Sequence, residues 1–141
     1  MVLSFKKFPN FYILKIPLGK EINKFIEKFC QKEAQNGGFF IGLGAVKEAI
    51  LAYYNVDKKK YIQKKFKKPL EIANITGNVC YFKKEVFVHS HATFADKNFK
   101  TIAGHLVEAK VVGACEIIFF PFPKKIKKVY NRKTGLKLME V

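Results

Sequence analysis

The clearest periodic signal lies between residues 20 and 33. Apolar side chains fall at Ile22, Phe25, Ile26, Phe29 and Cys30, the i, i+3, i+4, i+7, i+8 pattern of a helix with one buried face. Lys24, Glu27, Lys28, Lys32 and Glu33 occupy the other face. Gly19 and Lys20 open this helix. Glu21 in the first turn and lysines near the end suit its dipole, and Gly37-Gly38 ends it. Elsewhere the texture is that of strands. Residues 11–16 read as a first strand, and Phe39 to Val46 as an apolar one with two glycines, the mark of a bulge or close packing. Ala49 to Tyr54 extends that strand, or 45–54 forms a helix, which periodicity alone leaves open. Leu70 to Val79, Val86 to Ala95, Lys100 to Val107 and Val111 to Phe120 read as further strands, the last stopped by Pro121 and Pro123. Asp96-Lys97-Asn98 forms a hairpin loop. Leu136 and Leu138 alternate in a way that tucks the tail back onto the body. Many strands with one clear helix predict an α+β class: one compact domain over residues 1–141, a mostly antiparallel sheet flanked by helices.

Composition sharpens this picture. Of 141 residues, 49% are hydrophobic, enough to fill one core and too many for a disordered chain. The apolar-plus-glycine run Phe39 to Val46, even with Gly37-Gly38 before it, is far below the roughly 18–20 residues of a membrane helix, and the N-terminus has no secretory signal pattern. Cys30, Cys80 and Cys115 are odd in number and widely spaced, which is neither a disulfide framework nor a cysteine zinc motif. A reducing, cytoplasmic location is the expectation, with each thiol acting as a small hydrophobe.

Lysine plus arginine number 27 against 11 acidic residues, a formal charge of +16. Such a field attracts polyanions, but Arg132 is the only arginine, so the forked donor that reads bases is nearly absent. Two clusters carry much of the charge: Lys58, Lys59, Lys60, Lys64, Lys65, Lys67 and Lys68, and then Lys124, Lys125, Lys127, Lys128, Arg132 and Lys133. With Tyr61, Phe66 and Tyr130 among them, they are candidates for non-specific nucleic-acid contact. The same residues equally describe a solvated surface or an edge strand kept soluble by lysine.

The candidate chemistry is in the histidines. There are only His89, His91 and His105. Residues i and i+2 of a strand face the same way, so His89 and His91 can turn to one ion. His105, on the next strand, joins them only if the hairpin loop has an odd number of residues, as 96–98 would, with Asn98 in the left-handed position. Three imidazoles suit a divalent metal, zinc above all, with the fourth position left open. A hydrolase would add a base, for which Glu71 and Glu108 are the candidates, with Glu116 a third; each is as readily paired with a lysine or a backbone donor. No nucleophile elbow, serine triad order or phosphate loop occurs, and Gly42-x-Gly44 lacks the third glycine of a dinucleotide fingerprint.

Seven short motifs occur in order: Gly42-Leu43-Gly44-Ala45-Val46, Tyr53-Tyr54, Leu70-Glu71-Ile72, Thr76-Gly77-Asn78, Val88-His89-Ser90-His91-Ala92-Thr93, Gly104-His105-Leu106-Val107-Glu108 and Cys115-Glu116. Together they resemble the PPC (plant and prokaryote conserved) domain, also called DUF296, of the stand-alone prokaryotic type. The resemblance implies a homotrimer of α/β subunits, with a metal ion on clustered histidines in some members. In plants it implies nuclear AT-rich DNA binding through an AT-hook. Here no Arg-Gly-Arg-Pro hook is present, and the plant Gly-Arg-Phe-Glu-Ile stretch reads Lys68-Pro69-Leu70-Glu71-Ile72. The expectation is a trimeric binding or regulatory module, not an enzyme, with a metal on His89, His91 and His105 and with small-molecule or protein partners. The alternatives are a DNA-associated transcriptional regulator using the lysine surfaces and a metal-dependent hydrolase.

Overall fold

The computed structural model describes residues 3–141. In chain order it contains β1 (Phe5–Lys7), β2 (Tyr12–Lys15), α1 (Ile22–Lys32), β3 (Gly38–Asn55), β4 (Lys60–Phe66), β5 (Leu70–Phe82), β6 (Glu85–Ala95), β7 (Thr101–Pro121), β8 (Lys127–Asn131) and β9 (Leu136–Met139). Among the described residues α1 is the single helix, so the sheet has one helical neighbour rather than several.

Helix α1 follows its pattern: all five predicted apolar positions are buried. Its start differs by one step. Glu21 is the N-cap, with extended backbone, and its carboxylate accepts from the backbone N–H of Asn23 at 3.0 Å and of Lys24 at 2.7 Å. Removing that acceptor leaves two first-turn donors without their cap, so Glu21→Ala is expected to cost about 0.5–2 kcal/mol, read as a lower urea midpoint at unchanged slope. The helix ends at Lys32, before the glycines. Gly37 instead reverses the chain at φ +76°, where a Cβ would also collide with the Val79 carbonyl oxygen.

The expected strand pieces merge. Residues 38–55 form one 18-residue strand, which excludes a helix over 45–54, and residues 101–121 form one of 21 residues. Neither reads as continuous because each bends. The β3/β7 ladder shifts register between Gly44 and Val46, Val46 and Glu48, and Ile50 and Leu51, and Gly113 has φ +77°. Bulges of this kind break the two-residue period and increase twist. The sheet curls until its ladders close a circuit: β3 pairs β5, β5 pairs β6, β6 pairs β7, and β7 returns to β3, all antiparallel. A short parallel contact ties β8 to β5.

One face of this sheet, with α1, forms the core around Phe25, Phe29, Phe40, Phe94 and Phe119. Asn23 connects helix to sheet, accepting from Ser90 Oγ at 2.7 Å and donating to the Leu106 carbonyl at 3.0 Å. Cys30, Cys80 and Cys115 are free and buried. Burial pushes the Cys30 and Cys115 thiols up to about 12, so they pack as apolar groups. Strand β4 pairs only β3 and is exposed along most of its length, as an edge strand protected by lysines would be.

Candidate metal centre

On β6, Ser90, Ala92 and Phe94 are buried in the core. The strand alternation therefore sends His89 and His91 to the opposite face. On β7, His105 pairs directly with His91. The loop parity is odd, as the site requires, but the loop is longer than expected: 96–100, between paired Ala95 and Thr101. The two added residues set His91, rather than His89, opposite His105. Phe99 takes the left-handed position at φ 61°, not Asn98. Asp96 organises the turn, its carboxylate accepting from the N–H of Asn98 at 2.9 Å and of Lys100 at 3.1 Å. Lys68 Nζ, 2.8 Å away, holds the Asp96 carboxyl down at about 2.

The three rings converge, with centroids 5.2 Å (His89–His91), 5.2 Å (His89–His105) and 5.5 Å (His91–His105) apart. One nitrogen from each lies within 4.8 Å of the others. Ligands to a shared tetrahedral zinc sit ~3.4 Å from one another, so side-chain rotations of about 1 Å would complete the set. The donor chemistry fits a metal. His105 Nδ1 is buried with no hydrogen-bond partner. Burial, reinforced by Lys128 and the neighbouring imidazoles, pushes His89 down to about 4, and burial also lowers His105. Both rings are thus neutral near pH 7, the form that ligates a metal.

Above the rings lies a cavity of about 680 Å³. Tyr61 packs 4.8 Å from His105 and Tyr54 packs 4.8 Å from Tyr61, centroid to centroid. The tail closes the other side, as the Leu136/Leu138 alternation predicts, because β9 pairs β8 and residues 135–138 line the cavity. Two contacts clasp this hairpin to the β3–β4 turn: Tyr54 Oη donates to the Thr134 carbonyl at 2.6 Å and Lys59 Nζ to the Arg132 carbonyl at 2.8 Å.

The structure separates the glutamates from the histidines. None of Glu71, Glu108 and Glu116 lines the cavity. Glu108 lies past the register break at Ile50/Leu51, with its carboxylate 3.6 Å from Lys110 Nζ. Glu71 pairs with Ala95, four residues and about 13 Å along β6 from His91. Glu116 is exposed beside Leu43 and Lys15. The hydrolase reading is left without its base.

The lysine clusters divide. Lys58, Lys59, Lys60, Lys64, Lys67, Lys124, Lys125, Lys127 and Arg132 are exposed. Lys65 is paired with Glu48 at 3.2 Å and Lys68 with Asp96. Lys128 departs from the surface reading altogether: it is 5% exposed, with Nζ 5.2 Å above the Phe87 ring. Its position on β8 turns it towards the sheet rather than to solvent, something a run of lysines in sequence conceals. The clasp also joins the clusters, setting Lys59 beside Arg132 and against Gly135 of the cavity wall. Phe87 was legible as the i−2 neighbour of His89 on the same strand face. Lys137, which lines the cavity with its Nζ 4.8 Å from the Phe87 centroid, carried no signal, because only the folding back of the tail brings it there.

Residues 4–123 match the Plants and Prokaryotes Conserved (PCC) domain model. No curated protein matches the sequence. A candidate DNA-binding protein from Bacteroides thetaiotaomicron is 33% identical with a TM-score of 0.94, covering 98% of this chain and 96% of its own. A metal-containing protein from Archaeoglobus fulgidus is 30% identical with a TM-score of 0.86, over 100% and 99% of the two chains. A plant- and prokaryote-conserved protein from Pyrococcus horikoshii is 29% identical with a TM-score of 0.86, over 99% and 95%. The motifs, the fold and the match over most of its length agree: the chain belongs to the Plants and Prokaryotes Conserved domain family.

Proposed function

We propose that this protein is a homotrimeric binding and regulatory module that holds a divalent metal, zinc by its ligand chemistry, on His89, His91 and His105. The observation that carries this reading is the convergence of the three imidazoles from two paired strands. The similar Archaeoglobus protein is a metal-containing one. Three protein ligands leave a fourth position open, and a metal there would act as a Lewis acid towards whatever occupies it. No Asp or Glu lines the cavity, so the site is suited to binding an occupant rather than to base-assisted hydrolysis. Metal analysis of the purified protein, with His91→Ala beside it, tests the site; full metal content in the variant would exclude it.

Self-association is supported by an exposed apolar stripe. Ile118 on β7 pairs with Ile13 on one side and Ile41 on the other, and Phe120 pairs with Phe39. These five side chains are 38–42% exposed. The row continues from Ile41 through Thr76 to His91. Contiguous apolar surface of this kind marks an interaction site. Ile118→Lys is expected to shift the sedimenting species from about three chain masses to one, and an unchanged mass would remove the stripe from the interface.

A second reading, a DNA-associated regulator, is favoured by one observation: the clasp between Lys59 and Arg132 merges the tips of two basic clusters into one rim. The Bacteroides relative is a candidate DNA-binding protein. Lysine-dominated contact predicts binding that falls steeply with salt and ignores sequence. A fluorescence titration showing no duplex binding at low salt would remove this reading.

A further inference from the structure

The cavity over the histidines is electrostatically unbalanced. Two ammonium groups converge on one ring: Lys128 Nζ lies 5.2 Å and Lys137 Nζ 4.8 Å from the Phe87 centroid. Neither lysine is in an ion pair among the described residues, and Lys128 is 5% exposed. Phe87 and Lys137 line the cavity with the three histidines, the Lys137 Nζ lying between the Phe82 ring at 4.2 Å and the Phe87 ring, while Lys128 lies outside the lining. A divalent ion on neutral imidazoles would add further positive charge. Buried charge without a counter-charge is costly, and neither the lysines nor the histidines have a carboxylate answering them in the cavity. Apart from Asn23, the rest of the lining is aromatic, aliphatic or glycine: Tyr54 and Tyr61 on one wall, Leu136 and Leu138 on the other. The volume of about 680 Å³ is that of a small-molecule site.

Resting on the metal reading above, we propose that this cavity binds a small amphiphilic organic oxyanion. Its carboxylate or phosphate head takes the open metal position on the side of Lys137, and its apolar body lies against Phe87 and Tyr61. Lys59, packed against the lining residue Gly135, and Arg132, clasped to it, add positive charge that draws such anions towards the mouth. The β8–β9 hairpin, which lies beyond the residues matched to the family model, supplies both lysines and one wall of the cavity. The histidines would set the metal, and the hairpin would set what the metal meets.

The test uses the full-length protein loaded with cobalt(II), whose visible absorption reports the open position. Cobalt content is measured first. Phenylacetate, phenyl phosphate, acetate, inorganic phosphate and benzyl alcohol are then titrated. Phenylacetate or phenyl phosphate is expected to bind at least about tenfold more tightly than its own bare head group and than benzyl alcohol. The tighter of the two identifies the head group. Lys137→Met is expected to weaken that binding about tenfold with cobalt content unchanged, and Phe87→Ala to weaken the aryl ligand but not acetate. Equal binding of acetate and phenylacetate, together with equal binding of the two phosphates, overturns the proposal. So does equal binding of benzyl alcohol, or an unaltered affinity in Lys137→Met. Failure to take up stoichiometric cobalt overturns the metal reading as well, so the two failures are distinct.

Discussion

His91→Ala is expected to strip the metal from the purified protein while leaving the fold in place. Altering a residue that merely orients a metal ligand typically costs 10–100-fold in affinity, so deleting a ligand from a set of three is expected to cost at least about a hundredfold. His91 is exposed on the sheet face opposite the core, and its removal opens no cavity among the buried phenylalanines. The metal-free variant should therefore unfold within about 0.5 kcal/mol of the metal-free parent. The metal-loaded parent should melt higher than either, because an ion bound only by the folded state stabilises it in proportion to its occupancy. Elemental analysis and thermal melts with and without chelator read both quantities. A variant that retains metal, or a parent whose melting ignores chelator, would show that the convergence of the rings has no bearing on metal.

The second large effect is structural. Phe29→Ala should lower stability by about 3–5 kcal/mol. Phe29 is fully buried, and its ring meets Phe5 at 5.5 Å, Tyr12 at 5.1 Å and Phe119 at 5.3 Å. Phe119 and Tyr12 lie on β7 and β2, and Phe5 on β1, so this one side chain fastens α1 across three strands. Rigid strands on several sides limit how far the hole can collapse, which places the cost in the upper part of that range. Against a usual domain stability of about 5–15 kcal/mol this is a large fraction. Urea unfolding of the metal-free protein measures it, with the exposed Lys28→Ala as a control expected within about 0.5 kcal/mol. A loss below about 1 kcal/mol would mean that the helix is not anchored through this ring.

Several of these features are written in short-range sequence. Helix α1 is legible because five apolar residues repeat at 3.6; its cap is displaced by one position, and its end falls at Lys32, before the glycines. His89 and His91 are legible as a pair because the strand period is two. His105 is legible conditionally, through loop parity, and the parity is odd even though the loop is 96–100 and Phe99 turns the chain. The long strands are not legible, because the bulges in β3 and β7 break the very alternation by which a strand is recognised. The family resemblance runs through residues of the sheet and its ladders, and so it says nothing of the cavity's outer wall.

The amino-acid sequence by itself determined which side chains share a face, since backbone period alone decides that, and it determined the excess of positive charge. Tertiary structure decided which faces meet. The closed circuit of ladders brings β7 back beside β6, and the folded tail lays Lys128 and Lys137 over Phe87. It also carries Glu71 and Glu108 away from the rings. Such neighbours lie many residues apart in the chain, and their meeting depends on loop lengths, bulges and the burial of a common core. Local pattern does not encode these, because the free energy that selects them is shared across the whole sheet.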